Sequence, residues 1–338
     1  MAAKVISRLL FAALLLTGLA ACSQNIETGG ISLDGRKTLG AEYPVNPAQP
    51  LHRRTASIPD SVLEAWRKMD MTINPQAEQY EAYALSDTQK QQLAQAIATL
   101  PRPWQKIMRQ KLSRFFFIKN LLGGGITDWI IAADGRLTYT MILNPALFDA
   151  TASEWLKMRE SGSFETGDYR LQISGLQNVS ALQFILWHEV AHLIDYENRY
   201  TSIADPLMRS YLDLKSNGTT PFMHNVWQSG NQPTFDFPAR NKLNPYHMNA
   251  RQPRIANPEL PSTFISWQQT PFVTLYAASS PAEDFADFAA FHIARKRSGH
   301  EPVWQLVKKE HIVAKYAPLT HPANRARWSK LEGVAALR

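Results

Sequence analysis

Apolar positions follow the spacing typical of helices over several segments of the chain that begin after residue 58. Residues 60–71, 86–100 and 103–112 are predicted to form helices, and two prolines end the second of them. Residues 302–315 and 322–331 are predicted to form the last two helices. Helices are therefore expected near both ends of the folded part of the chain.

Runs rich in β-branched and aromatic residues predict strands between these helices. Residues 114–118 form one candidate strand, and residues 126–132 and 137–143 are predicted to form a hairpin around an Asp-Gly turn. The three glycines at 123–125 are interpreted as a flexible corner before the hairpin. Strands and helices together predict a domain of the α+β class.

The most apolar predicted helix carries polar residues at a fixed spacing. It spans residues 180–196, with Ser180 as its N-cap. A helix that is hydrophobic all round is expected to be buried. His188, Glu189 and His192 interrupt it. An unpaired buried polar group costs about 2–7 kcal/mol, so these side chains need a partner.

The pattern His-Glu-x-x-His predicts that this partner is a metal ion. Residues four apart share one helix face, so His188 and His192 can bind one ion together. Glu189 lies close enough to reach a metal-bound water, and zinc is the ion that suits this spacing. The alternative is two surface histidines beside a solvated glutamate, and the apolar flanks argue against it.

Carboxylates on a second predicted helix are candidates for a third ligand. Ser280 is interpreted as its N-cap and Pro281 as its first residue. Glu283 and Asp287 lie one turn apart on one face, so they suit a metal ligand and an acceptor for a histidine N–H. The alternative is that Glu283 only completes a capping box with Ser280.

This second motif resembles motifs of known zinc peptidases. A Glu-x-x-x-Asp sequence after His-Glu-x-x-His is similar to the thermolysin-type gluzincins. Tyr276, seven residues before the glutamate, is similar to a tyrosine of the lethal-factor-like zinc peptidases. The resemblance implies that Glu283 is the third ligand, that Asp287 orients His188, and that Tyr276 stabilises the oxyanion. This chain has Asp287 where the lethal-factor-like pattern has a second glutamate, and Ser-Pro where it has Asn-Glu.

The resemblance is confined to residues 182–195 and 276–291, which make up 30 of the 338 residues. It implies a zincin-like, thermolysin-type catalytic domain of the α+β class with a mixed sheet, an active-site helix and a glutamate-bearing helix. It also implies that extended substrate adds to one edge of the sheet as a further strand. The spacing does not identify that strand.

Other side chains compete with Glu283 for the role of third ligand. Asp195 follows the two histidines on the same helix, but a continuing helix carries it a turn too far. Structural or surface roles are expected for the remaining candidates, which are His224, His247 and His292.

The start of the chain is typical of a bacterial lipoprotein signal. Lys4 and Arg8 precede a short apolar stretch, and Leu-Ala-Ala-Cys ends at Cys22, the single cysteine. The ending resembles a lipobox, which implies removal of residues 1–21 and lipidation of Cys22. Ser23 then favours the outer membrane, with the protein facing the periplasm. A plain signal peptide or an uncleaved anchor is the alternative, although the stretch is short for a span of ~20 residues.

Composition divides the remainder of the chain. Residues 22–58 are polar and are interpreted as a lipidated flexible tether with a reach of roughly 30–36 Å. Residues 59–338 are predicted to form the catalytic domain. Within it, the proline-rich segment 196–275 separates the two ligand motifs and is predicted to be a cleft wall or lid.

The net charge is +7, and no nucleic-acid motif accompanies it, so no nucleic-acid partner is expected.

These features predict a zinc metallopeptidase with one zinc ion per chain, acting on proteins of the cell envelope. Glu189 is expected to take a proton from the attacking water, and Tyr276 to help stabilise the oxyanion. One alternative is a membrane-tethered periplasmic chaperone or scaffold that binds extended segments with little or no cleavage. Another is hydrolysis of peptide bonds in the cell wall. The complete motif favours an enzyme, because a binding module has no need of Glu189.

Overall fold

The computed structural model describes residues 31–214 and 218–332, so the predicted signal peptide and Cys22 lie outside the described residues. The helices in these ranges are α1 (Leu33–Glu42), α2 (Asp60–Met71), α3 (Asp87–Ala98), α4 (Arg102–Lys111), α5 (Ala152–Ser161), α6 (Ala181–Asn198), α7 (Pro206–Tyr211), α8 (Leu260–Trp267), α9 (Pro281–Ser298) and α10 (Pro322–Glu332). The strands are β1 (Glu81–Ala82), β2 (Leu112–Lys119), β3 (Gly125–Ile131), β4 (Leu137–Leu143), β5 (Tyr169–Ser174), β6 (Trp227–Ser229), β7 (Gln232–Pro233), β8 (Val303–Lys308) and β9 (His311–Tyr316). None of these helices combines the length and apolar character needed to cross a membrane.

The larger sheet is mixed, and the predicted α+β class is confirmed. Its strands follow the order β1-β2-β4-β3, with β2 and β4 parallel and the other two pairs antiparallel. The predicted hairpin is β3 and β4, and Gly135 takes the left-handed backbone (φ +81°) that its turn requires. Among the described residues, β3 is therefore an edge strand.

The core lies between this sheet and two long helices. Every residue of α6 from Ala181 to Asp195 except Gln183 is buried, as expected for a helix that is apolar on all sides. Helix α9 packs along α6, and Phe184 and Phe291 meet edge to face with ring centroids 5.7 Å apart. This pairing of α6 and α9 brings the two predicted ligand motifs together.

The prediction of a helix over 302–315 is wrong, because these residues form the hairpin of β8 and β9. Trp304 and Leu306 are buried on one face of β8, which is the period of a strand. The turn is formed by Lys309 and Glu310, whose φ angles are +45° and +68°. Such a two-residue turn normally uses Gly or Asn, so the sequence carries no recognisable turn signal.

The prediction of a flexible tether through residue 58 is wrong for the part that the structure describes. Helix α1 packs against β3, and Leu51 belongs to the main core. Arg54 is fully buried, and its guanidinium donates hydrogen bonds to four backbone carbonyl oxygens, two of them those of Leu112 and Arg109. A polar segment can be folded when a few anchors carry its packing, and average composition does not reveal them.

The segment 196–275 has no long helix among its described residues, as its prolines predict. Its longest helix is α8, with 8 residues. Several of its aromatic side chains are buried in the main core, including Phe222, Trp227 and Trp267. The segment is thus packed onto the domain, and its role as a cleft wall or lid stays a prediction.

Candidate metal centre

Helix α6 begins at the predicted residue and orients the motif toward the interior. Ser180 Oγ accepts a hydrogen bond from the Gln183 N–H, and the Gln183 side chain accepts one from Ser180 N–H, which completes a capping box. His188, Glu189 and His192 are all buried. The interpretation as two surface histidines beside a solvated glutamate is therefore wrong.

Helix α9 begins at Pro281 and brings the carboxylates to the histidines. Ser280 Oγ accepts a hydrogen bond from the Glu283 N–H at 3.2 Å. The Glu283 carboxylate, however, turns away from the helix end and lies beside the histidines of α6. The capping role of Glu283 is thus limited to its backbone, and its side chain is available for the site.

The three predicted ligand atoms form a compact triangle. His188 Nε2 and His192 Nε2 lie 3.2 Å apart, and Glu283 Oε2 lies 3.1 Å from the first and 3.4 Å from the second. His188, His192 and Glu283 could hold a metal ion together, and they are the single group of this kind among residues 31–214 and 218–332. The Glu283 side chain is 23% exposed, while the side chains of His188 and His192 are 5% and 11% exposed.

The electrostatics of the triangle favour a cation at its centre. Burial disfavours a charged imidazolium, yet Asp287 and Glu283 outweigh it and raise the pKa of His188 to about 10. Burial likewise opposes the charge on Glu283, but the two histidines hold its pKa well below the ordinary range. Glu283 Oε2 is shielded from solvent and has no hydrogen-bond partner among the described residues. A metal ion would satisfy this atom and take the place of the proton.

Asp287 lies behind the first histidine, on the side away from the triangle. Its Oδ1 is 2.7 Å from His188 Nδ1, which leaves Nε2 directed at the triangle. Asp287 is fully buried, and it also contacts the guanidinium of Arg159 and the hydroxyl of Thr274. Burial opposes its charge, but Arg159 and His188 hold the pKa of Asp287 at about 2. It is therefore a carboxylate that accepts hydrogen bonds.

Glu189 is held from the neighbouring edge strand. Thr127 Oγ1 on β3 lies 2.8 Å from Glu189 Oε2 and 2.8 Å from the Glu189 carbonyl oxygen. Burial raises the pKa of Glu189 above its ordinary value, and the neighbouring histidines and Thr127 oppose this increase. A buried carboxylate with a raised pKa suits a group that both takes and releases a proton.

Gly124 and Gly125 have a packing role, which the interpretation of residues 123–125 as a flexible corner does not include. A Cβ atom on Gly125 would lie 2.9 Å from Glu189 Cγ, and one on Gly124 would lie 3.0 Å from Ile185. The strand can therefore approach α6 this closely only because these positions carry no side chain.

Tyr276 lies at the rim of the site and is partly buried. Its ring centroid is 6.1 Å from that of His188 and 6.4 Å from that of Tyr246. The guanidinium carbon of Arg159 is 4.7 Å from the centre of the Tyr276 ring, and the Tyr276 N–H donates to Glu160 Oε2 at 3.1 Å. The ring of Tyr276 therefore lies beside His188, while its role in stabilising the oxyanion stays a prediction.

The competing ligands lie elsewhere. Asp195 accepts hydrogen bonds from the backbone and hydroxyl of Thr201 at the end of α6. His292 stacks on Trp328, and burial lowers its pKa to about 3. His247 lies beside the side chain of Asn244, and His224 is exposed.

Sequence reasoning missed the residues that surround the ligands, among them Thr127, Arg159 and Glu160. Helix α5, which carries the last two, had a detectable start in the Thr151-x-x-Glu154 capping box. No local signal distinguishes a buried Arg-Glu pair from an exposed one, because both occur on polar helices.

Comparison with known proteins adds no relative. No family model, no curated protein and no solved structure matches this chain. The geometry of the site therefore carries the functional argument alone.

Proposed function

We propose that this protein is a zinc-dependent peptidase with a zincin-like catalytic domain, and the ligand triangle carries the proposal. Zinc bonds of ~2.0–2.1 Å in tetrahedral geometry place neighbouring ligand atoms about 3.3 Å apart. The sides of the triangle of His188, His192 and Glu283 measure 3.1–3.4 Å. Two nitrogens and one carboxylate oxygen are also a ligand set typical of catalytic zinc.

His188, His192 and Glu283 would hold the zinc ion, which would supply activation of a water molecule by lowering the pKa of that water to ~7. Glu189, which Thr127 holds at 2.8 Å, is the base that takes the proton during attack on a peptide carbonyl. The raised pKa of Glu189 makes it a stronger base for the first transfer, and the carboxyl then delivers the proton to the leaving nitrogen. Tyr276 stabilises the oxyanion from the rim of the site.

The edge of β3 supports an extended peptide as the substrate. Asn144 N–H donates to the Gly124 carbonyl oxygen at 2.9 Å. In an antiparallel pair, hydrogen-bonded and non-hydrogen-bonded residues alternate, so every second residue of β3 counted from Gly124 bonds to β4. The backbone groups of Gly125 and Thr127 therefore point away from β4, and they have no hydrogen-bond partner among the described residues. A peptide strand that pairs with them would lie directly beside Glu189.

Helix α1 limits how far such a peptide can extend. Arg36 donates to the carbonyl oxygen of Trp129, and Asp128 accepts the Trp129 N–H at 2.8 Å. Further along, the backbone of α1 at Gly40 packs directly against the carbonyl group of Ile131. The open edge is thus the part of β3 nearest the metal triangle, which suits short stretches of backbone pairing rather than long ones.

The substrate class follows from the predicted location. If Cys22 is lipidated, the domain is tethered at a membrane of the cell envelope, and unfolded envelope proteins are the extended chains within its reach. Labelling with radioactive palmitate, lost in Cys22→Ala, tests the anchor.

The proposed activity is tested with purified residues 31–338, a peptide library and an unfolded outer-membrane protein. We expect cleavage by the wild type, none by Glu189→Gln with zinc still bound, and loss of zinc by Glu283→Ala. The control for Glu283 is Asp284→Asn with Arg327→Met, which changes the next residue of α9 together with its buried ion-pair partner and should keep zinc.

Two results would contradict the proposal. Stoichiometric zinc in Glu283→Ala would show that Glu283 is not a zinc ligand. Equal cleavage by wild type and Glu189→Gln would show that Glu189 is not the base. Tight binding of the unfolded protein by both forms without cleavage would instead support the chaperone alternative.

A further inference from the structure

Two adjacent charged residues behind the metal triangle have no part in the proposed chemistry. Arg159 and Glu160 on α5 have side-chain exposures of 1% and 0%. Removing a charge from water costs several kcal/mol, and a pair of charges is often less stabilising than apolar residues of the same volume. Their burial therefore needs an explanation in what they contact.

Arg159 contacts the carboxylate that orients a proposed metal ligand. Its Nη1 lies 3.2 Å from Asp287 Oδ1 and its Nη2 lies 2.6 Å from Asp287 Oδ2, a two-point contact that fixes the plane of the carboxylate. The same Oδ1 lies 2.7 Å from His188 Nδ1. Arg159 therefore touches no ligand itself but fixes the group that sets the orientation of His188.

Arg159 is in turn held on its remaining sides. Its Nε donates to Glu160 Oε1 at 2.7 Å, and the other oxygen of Glu160 accepts the Tyr276 N–H at 3.1 Å. The face of the Tyr276 ring covers the guanidinium at 4.7 Å. Lysine could not reproduce this arrangement, because an ammonium group is a single point charge without the planar fork.

We propose that Arg159 is a positioning residue for metal binding, acting on His188 through Asp287. It fixes the carboxylate so that His188 directs Nε2 into the triangle before any metal arrives. This inference rests on the proposed function, since it takes His188 as a zinc ligand. Loss of the contact should weaken metal binding by about 10- to 100-fold, as is usual for groups that orient a ligand.

The test compares two buried pairs that differ in what they contact. Arg159→Met/Glu160→Gln removes both charges of the pair described above and leaves Asp287 in contact with His188 Nδ1 and the Thr274 hydroxyl. The control is Arg327→Met/Asp284→Asn, which removes a buried Arg-Asp pair between α10 and α9, with side-chain exposures of 2% and 0%. Arg327 also lies over an aromatic ring, that of Phe222 at 3.8 Å, so both arginines are buried against a carboxylate and a ring.

The measurements are the zinc affinity, from competition with a chelator, and the visible spectrum of the cobalt-substituted protein. We expect 10- to 100-fold weaker zinc binding and an altered cobalt spectrum for the Arg159 pair, and neither change for the Arg327 pair. Thermal unfolding of the metal-free proteins shows whether both variants are folded. Arg159→Lys, which keeps the charge, should bind zinc with an affinity between those of wild type and the double variant.

Wild-type affinity and an unchanged cobalt spectrum in the Arg159 double variant would overturn the proposal. An equal loss of affinity in the Arg327 pair would also overturn it, because the effect would then be general loosening of α9. If the Arg159 double variant does not fold, wild-type values in Arg159→Lys overturn it. Failure of the wild type to bind zinc is a different result, since it removes the proposed function itself.

Discussion

Thr127 shows how a single hydroxyl can prepare a buried carboxylate. Its Oγ1 lies 2.8 Å from Glu189 Oε2, and the side chain reaches across from the edge strand to helix α6. Gly125, two residues earlier on the same strand, lacks a side chain, so the backbone of β3 approaches Glu189 directly. The Glu189 carboxylate therefore accepts a hydrogen bond from Thr127 and packs directly against the backbone of β3 at Gly125.

Thr127→Val should lower kcat/KM by about tenfold while zinc content stays unchanged. Burial raises the pKa of Glu189 and the Thr127 hydroxyl is among the groups that oppose it, so losing the hydroxyl raises this pKa further. The acidic limb of the pH–rate profile should then move to higher pH. Thr127→Ser keeps the donor and should restore the profile. An acidic limb in Thr127→Val identical to that of wild type would show that the hydroxyl does not act on Glu189.

At the scale of elements, helix α1 and strand β3 behave as one unit. Arg36 is buried, pairs with Asp128 at 2.6 Å, and lies 4.1 Å over the ring of Trp129. Trp129 in turn donates its indole N–H to Asp205, the N-cap of α7. The edge strand is thus fixed on both sides by segments that do not belong to the sheet, and its open part is limited to the end beside the metal triangle.

Arg36→Met should lower the free energy of unfolding by about 3–5 kcal/mol, because it leaves the carboxylate of Asp128 buried and unpaired. Lys37→Met, on the exposed side of the same helix, is the control and should change it by less than ~0.5 kcal/mol. Urea denaturation monitored by tryptophan fluorescence measures both. Equal stability of the two variants would mean that α1 is not anchored through Arg36.

At the scale of the whole molecule, the proposed metal joins the two helices around which the core is built. A ligand that binds only the folded state stabilises it by ~4 kcal/mol at a thousandfold excess over Kd. Zinc should therefore raise the thermal midpoint of the wild type and leave that of Glu283→Ala unchanged. A rise of the same size in Glu283→Ala would place the zinc elsewhere.

The increase in the thermal midpoint that zinc causes should be larger at pH 7.5 than at pH 5.5. In the metal-free fold, burial opposes protonation of His188, but Asp287 and Glu283 raise its pKa to about 10. Protonation therefore stabilises the metal-free fold below the ordinary pKa of ~6.5, and that contribution is lost as the pH rises toward 10. Zinc binds the neutral imidazole of His188, so the contribution of zinc binding to the free energy of unfolding increases as the pH rises over the same range. An increase independent of pH would contradict the raised pKa of His188.

Much of the candidate site was predictable because its signals are local. The spacing of His188 and His192 on one helix turn, and of Glu283 and Asp287 on another, follows from 3.6 residues per turn. The start of each helix is fixed by a serine cap within three residues. The hairpin of β3 and β4 likewise follows from an Asp-Gly turn and the runs that flank it.

The rest was decided by contacts between residues far apart in the chain. Thr127 meets Glu189 across 62 positions, and Arg159 meets Asp287 across 128. The sequence gives no local sign of which polar side chains will be buried together, because their partners are chosen by the packing of whole elements. The same holds for α1, whose polar composition predicts a tether although its contacts with β3 make it part of the fold. The sequence by itself thus determined the three metal-ligand candidates, while the tertiary structure decided which groups hold those ligands and which part of the sheet edge stays open.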